Sequence, residues 1–248
     1  MHASRMTLLA KPVGIAGFVL IWQAATLAAG EYWVPGPVAV LNRFRAELAS
    51  GALLVDLWAT GQLLIAGLLL GTLLGALMAC LLRLQPRVDA MLQPFVTAAM
   101  SVPKLGLVPL LVLWFGTGWT PKVLLVAVTV FFIVFALTYA GLATIDTKLV
   151  MTARVFGATP AQVTQSVVIP SVLPFIYTGL EVALPWSVSA ALVAEYLSAN
   201  VGVGHGIEAA RQMSDSVGIY YGIALATLLV LACNAILYAA RRVSIKGH

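Results

Sequence analysis

The chain has 248 residues, 61% of them apolar and only 9% charged, where a soluble domain carries about 45–50% and about 25%. Its few charges cannot cover a 26 kDa globule, so most of the surface faces lipid. The net charge of +5 comes from basic residues standing singly or in pairs, which excludes a nucleic-acid surface. Two cysteines, Cys80 and Cys233, exclude a disulfide framework or a zinc cluster.

A bilayer core of about 30 Å takes about 20 apolar helical residues. The first such stretch is 12–30; it is of span length and ends at no A-x-A-like site, so it is expected to remain as an anchor. The second, 57–82, carries Gly67, Gly71 and Gly75 at i, i+4 and i+8, a smooth stripe for close helix contact within the chain or between subunits. The third, 105–121, is punctuated by Pro94, Pro103 and Pro109, so it is expected to begin near Phe95 and to be broken. The fourth is 123–145. The fifth, 172–197, contains Glu181 and Glu195, and the sixth is 216–240. The expected fold is all-α, polytopic, with about six transmembrane helices in one domain spanning 1–248.

Six spans put both termini on one side. With a cytoplasmic N-terminus, the inner segments hold Arg5, Lys11, Arg83, Arg87, Lys148, Arg154, Arg241, Arg242 and Lys246, against Arg43, Arg45, Lys122 and Arg211 outside, so both ends are expected inside. Tyr32, Trp33, Trp58, Trp114, Trp119, Tyr220 and Tyr221 fall at the expected outer helix ends, where amphipathic rings favour the headgroup layer.

Ionisable groups within spans are functional candidates. Lys104 follows a helix-breaking proline and can meet an anionic solute in a polar cavity; it can equally snorkel, or pair with Glu181 or Glu195. The candidates for a translocation path are Ser101, Pro103, Lys104, Glu181, Trp186 and Glu195. Glu195 also fits an interfacial position beside Tyr196, just ahead of Asn200 and the glycine-rich run 202–206. His2, His205 and His248 are too scattered for a metal centre, and His205 with Glu208 reads as an exposed loop pair. The segment 116–122 lacks the phosphate-loop spacing, and no nucleophile has a base and an acid arranged around it, so an enzyme is not expected.

The stretch 146–171 is the most informative. Asp146 or Thr147 can cap a short helix whose Leu149, Ala153 and Phe156 share one face, and Gly157 suits its left-handed stop. Thr159, Pro160 and Gln162 form a Thr-x-x-Gln capping box with proline at the first helical position, and Pro170 is expected to end this second helix. A rigid surface hairpin of this kind suits docking on another protein or lying on lipid.

The segment resembles the EAA loop of bacterial ABC importer permeases, whose pattern is Glu-Ala-Ala, three residues, Gly, nine residues, Ile, any residue, Leu-Pro. Ala153, Gly157 and Pro170 match, Val167 and Ile169 supply the apolar pair, and Met151 and Thr152 stand where the pattern has Glu and the first Ala. The resemblance runs from about Trp33 to Ala240, through 34–37, 102–110, 113–118, 157–159, 168–174 and 194–196, and is nearest to the nitrate, sulfonate, taurine and thiamine-precursor subgroup. It implies the type I ABC importer permease fold and a homodimer in the bacterial inner membrane. Two cytoplasmic ATPase subunits and a periplasmic or lipid-anchored solute-binding protein would complete the complex. ATP and Mg would then sit in the partner ATPase, with no cofactor bound by this chain. The coupling residues it implies are Met151, Ala153, Arg154, Phe156, Gly157, Ala158, Thr159, Pro160, Gln162 and Pro170. The competing reading is a stand-alone proton-coupled carrier or channel using Lys104, Glu181 and Glu195.

Overall fold

The computed structural model describes the backbone of residues 2–198 and 200–246, and the side chains of these apart from 2–12, 242–246, Leu84, Pro86, Thr147 and Ala240. Arg5, Lys11, Arg242 and Lys246 of the charge pattern, and His2 and His248, therefore have side chains outside the described residues. All regular structure among the described residues is helical. In chain order it comprises α1 (His2–Ala29), α2 (Pro37–Ser50), α3 (Ala52–Leu84), α4 (Pro86–Ser101), a 3₁₀ turn (Lys104–Leu107), α5 (Val108–Phe115), α6 (Trp119–Ala143) and α7 (Thr147–Val155). Then come α8 (Pro160–Val163), a π turn (Thr164–Val168), α9 (Ile169–Ser198), α10 (Val203–Gln212) and α11 (Ser216–Lys246).

Among the described residues, four helical stretches are long and apolar enough to cross a bilayer: Ala52–Arg83, Trp119–Ala143, Pro160–Ser198 and Ser216–Ala239. The pair Arg87–Ser101 and Lys104–Phe115, bent by 84°, has the length and composition of a broken span or a re-entrant loop, while Val13–Ala29 of α1 is apolar but shorter. All six expected stretches are thus helical, and the third is broken as its prolines require. Its end is different: it stops at Phe115, and Pro121 lies in the first turn of α6. Gly116, at φ 77°, breaks the chain between the two, and a proline so early in a helix forfeits no hydrogen bond.

The centre of the bundle is α6, packed between α3 and α9. The glycine stripe of α3 lies on α6 of the same chain, which resolves its role in favour of internal packing. A Cβ at Gly71 would stand 2.5 Å from the Ala127 carbonyl oxygen, and one at Gly75 would stand 2.7 Å from that of Phe131. Val126, Val130 and Val134 of α6 are fully buried in this contact, and Gly179 of α9 approaches Val134 from the other side. In lipid, such contacts hold by dispersion and close backbone approach, because tails and side chains are equally apolar.

At one end of the bundle, α2 and α10 cover the ends of α3, α9 and α11. Tyr32, Trp33, Trp58, Trp114 and Trp119 are exposed there, as expected for an aromatic belt. Tyr221 departs from it: the ring is buried and meets Phe44 edge-on at 4.6 Å, and Tyr220 stacks on Trp22. The other end carries α7, its turn, and α8.

Candidate functional site

The hairpin 146–170 has the local structure its sequence dictates. Asp146 caps α7, its Oδ1 accepting the Lys148 N–H at 2.8 Å. Gly157 sits at φ 80°, where the Gly157 N–H reaches the Arg154 carbonyl and the Ala158 N–H that of Ala153, both at 3.0 Å. These two bonds close the helix end that glycine permits. The capping box is complete: the Thr159 N–H donates to Gln162 Oε1 at 2.8 Å, and the Gln162 N–H to Thr159 Oγ1 at 3.4 Å. The tip is apolar and solvent-facing, with Val155 and Phe156 85% exposed, beside Leu149 and Met151. Arg154 flanks them on the same exposed stretch.

Pro170 does not end the second helix. The helical path continues from Pro160 to Ser198 through the π turn 164–168, with the Ile169 N–H reaching back to the Thr164 carbonyl. The wider turn just ahead of the proline gives its ring room where a tight helix would clash with the preceding carbonyls. Pro170 and Ala153 instead line one open cleft of 460 Å³ between α7 and the start of α9.

The candidates within the spans separate into distinct places. Pro103, Lys104 and Trp186 come together around a cavity of 350 Å³, with Thr129 and Ser189. Among the described residues Lys104 is its only charged lining residue; its Nζ donates to the Met100 carbonyl at 2.8 Å and lies 5.2 Å over the Phe132 ring. It pairs with neither Glu181 nor Glu195. The break at Val102–Pro103 therefore borders a cavity, where broken helices are tolerated at membrane depth. Ser101 is not in that lining, and its hydroxyl bonds back to the Thr97 carbonyl. Glu181 accepts from Arg241 Nη1 of α11 at 3.0 Å, half-buried.

Glu195 is buried, only 1% exposed, near the end of α9 that meets α10. Its two carboxyl oxygens take the Thr60 hydroxyl at 2.8 and 3.0 Å, and Oε2 also takes the Gly204 N–H at 2.9 Å. Thr60 Oγ1 accepts the Val203 N–H, and Asp56 Oδ1 accepts the Gly202 N–H. Side chains from α3 and α9 thus satisfy the free N–H groups that open α10. Gly202, at φ 117°, and Gly204 have no room for a Cβ, which would strike Glu195 and Leu192. Thr60, Asp56 and this pairing were missed from the sequence. The signal present was an acid followed within ten residues by two glycines opening a helix.

His205 and Glu208 are not partners, and their segment is the helix α10 rather than a loop. Glu208 receives both Arg211 Nε and Nη2 at 2.7 Å, and Gln212 Nε2 at 2.8 Å. These donors, with the Tyr196 hydroxyl, bring its carboxyl down to about 2, and the same pair holds the Arg211 guanidinium above its usual range.

A multi-pass helical bundle with a cavity beside a broken helix and a stiff, capped hairpin at one end is the build of a membrane transport component. Residues 71–247 match the family described as binding-protein-dependent transport system inner membrane component, and the chain belongs to that family. It is 34% identical over 223 residues to the putative aliphatic sulfonates transport permease protein of Escherichia coli, covering 88% of this chain and 82% of that one. It is 31% identical over 212 residues to the formylaminopyrimidine transport permease protein of Halalkalibacterium halodurans, covering 85% and 84%. A crystal structure of an amino acid ABC transporter superposes with a TM-score of 0.64 at 18% identity, over 80% of this chain and 97% of that one. An inward-facing form of the MetNI methionine ABC transporter gives 0.60 at 20%, over 75% and 95%. The chain is an ABC importer permease with the corresponding fold, a transport component of the membrane.

Proposed function

We propose that the chain, paired with a second copy of itself, forms the pathway of an importer driven by two separate ATPase subunits and supplied by a solute-binding protein. The observation that carries this is the capped hairpin, whose exposed Val155–Phe156 tip is held by the Gly157 turn against α8, from which the helical path runs on through Pro160–Ser198. An apolar knob on a rigid mount suits insertion into a groove on an ATPase, and the stiffness of its caps delivers motion instead of absorbing it. Met151, Ala153, Arg154, Phe156 to Pro160, Gln162 and Pro170 serve this coupling. ATP and Mg belong to the partner, and residues 1–248 act as one transmembrane domain. The hairpin faces the cytoplasm of the bacterial inner membrane with both termini, in keeping with the excess of Lys and Arg on that side.

The solute passes the cavity of Lys104 and Trp186. A lone ammonium with no acid in the lining favours a small anion, such as a sulfonate or nitrate, and the indole face suits a planar ring of the thiamine-precursor kind. The rival, a proton-coupled carrier, requires Lys104, Glu181 and Glu195 to exchange protons. Glu181 is engaged by Arg241 and Glu195 by Thr60 and Gly204, each away from Lys104. Mild-detergent pull-down of the tagged chain, with mass spectrometry and an ATP hydrolysis assay, tests the reading. Recovery of an ABC ATPase and ATP-dependent uptake in liposomes are expected. Uptake by the chain alone, without nucleotide, overturns it.

A further inference from the structure

Between α2, α3, α10 and α11 lies a cavity of 220 Å³ that the transport reading leaves without a role. Its polar lining is Arg43, Glu47, Asp56, Asp215 and Tyr221. Arg43 is committed to two of the acids, with Nε 2.8 Å from Glu47 Oε1 and Nη1 3.4 Å from Asp215 Oδ2. Asp215 Oδ1 also holds the Gly218 N–H at 2.9 Å. Asp56 spends Oδ1 on the Gly202 N–H, but among the described residues Oδ2 accepts no hydrogen bond and no cationic side chain pairs with Asp56. Three carboxylates against one guanidinium leave the cavity negative. Tyr221 is 9% exposed, and its hydroxyl is buried with no hydrogen-bond partner, an unusual state for a buried polar group.

We infer that this cavity binds a primary ammonium group, held between the free oxygen of Asp56 and the hydroxyl of Tyr221. The charge demands a cation. A chelated metal ion does not fit, since among the described residues no three acids, histidines or cysteines converge tightly enough to ligate one. An ammonium needs acceptors for three N–H donors, and Asp56 Oδ2, Tyr221 Oη and the Glu47 carboxylate supply them. The room is made by small wall residues: a Cβ built at Gly206 would come into ordinary contact with Asp56 Oδ2, at 3.8 Å. The ammonium can be a dissolved small amine or the headgroup of an aminophospholipid, and both present the same R–NH₃⁺ to the site.

The test uses the purified full-length chain in lipid-free detergent, with thermal melting followed as ethylammonium chloride is titrated against equal concentrations of choline chloride, which has no N–H. Ethylammonium is expected to raise the melting temperature and choline to leave it unmoved. Tyr221→Phe removes one acceptor and Gly206→Ala narrows the space without removing a charge. Each is expected to fold with its ligand-free melting temperature retained, and to shift the half-saturating ethylammonium concentration up by about tenfold. Equal responses to ethylammonium and choline, or variants that respond like the parent, overturn the assignment. A second arm compares nanodiscs of phosphatidylethanolamine and phosphatidylcholine. A stabilisation by the former that Tyr221→Phe removes assigns the ammonium to lipid, and an ethylammonium response with no such difference assigns it to a dissolved amine.

Discussion

Thr60 and Glu195 are 135 positions apart, yet the Thr60 hydroxyl stands 2.8 and 3.0 Å from the two oxygens of the buried Glu195 carboxyl. One threonine thereby joins α3 to α9 and, by accepting the Val203 N–H, to the start of α10. Thr60→Val leaves that carboxyl and that N–H each short of a partner, and is expected to cost about 1–3 kcal/mol. Glu195→Ala strands more groups and costs about 3 kcal/mol or more, read as loss of the folded fraction in detergent thermal melts. Loss of uptake with unchanged melting would assign Glu195 to the solute instead.

Gly71→Ala places a methyl group against the Ala127 carbonyl, in a contact between two stiff helices that cannot yield locally. The expected destabilisation is about 1–3 kcal/mol. Gly17→Ala in α1, where nothing lies within 4 Å, is the matched control and is expected to leave the melting temperature unchanged or slightly raised. Equal effects at the two sites would mean that helix propensity, not packing, governs the stripe.

At Gly157 the obstacle is the backbone alone, since no atom lies within 4 Å of a built Cβ but φ is 80°. Gly157→Val therefore strains the turn without any clash, and the β-branched side chain tolerates that region worst. Solute-stimulated ATP hydrolysis in the assembled complex is expected to be lost, while Gly157→Asn keeps most of it. An unchanged rate in the valine variant would remove the turn from the coupling route.

Lys104→Met preserves the aliphatic stem and removes the charge from the Trp186 cavity. For an anionic solute, the uptake KM is expected to rise by about tenfold or more, and Trp186→Ala to impair aromatic solutes more than small inorganic ones. Uptake indifferent to both changes would move the path away from this cavity.

Glu208 gives a pH signature. Its carboxyl is lowered to about 2 in the folded chain, from a usual value near 4.5, so its contribution is present above about 4.5 and fades as pH falls towards 2. The melting difference between the parent and Glu208→Gln is expected to be constant from pH 7 to pH 5 and to shrink below that. A difference that grows on acidification would contradict the hydrogen bonds from Arg211.

What the sequence disclosed was whatever depends on neighbours close in the chain. The capping box of Thr159 and Gln162, the stop at Gly157 and the break at Pro103 are each written in three or four adjacent residues. The glycine stripe announced a close helix contact but not its partner, because the spacing on α3 says nothing of α6. Pro170 misled for a physical reason: the rule that a proline ends a helix assumes a tight preceding turn, and a π turn relaxes it. Glu195 was legible as a buried acid, but its partner Thr60 lies on another helix and has no signature of its own. Tyr221 sat in a row of interfacial aromatics, and only the fold, by laying α2 over it, turned the ring inward.

The unbroken helical path from Pro160 to Ser198 has 39 residues, and at 1.5 Å per residue it makes a rod of about 58 Å, nearly twice the hydrocarbon thickness. That rod links the Thr159 cap at one end of the bundle to the Glu195 carboxyl, and through it to the start of α10 at the other end. Its hydrogen-bond ladder is interrupted at the π turn 164–168 and again at Pro174 and Pro185 inside α9, so the rod is a shaft with three compliant joints set along its length.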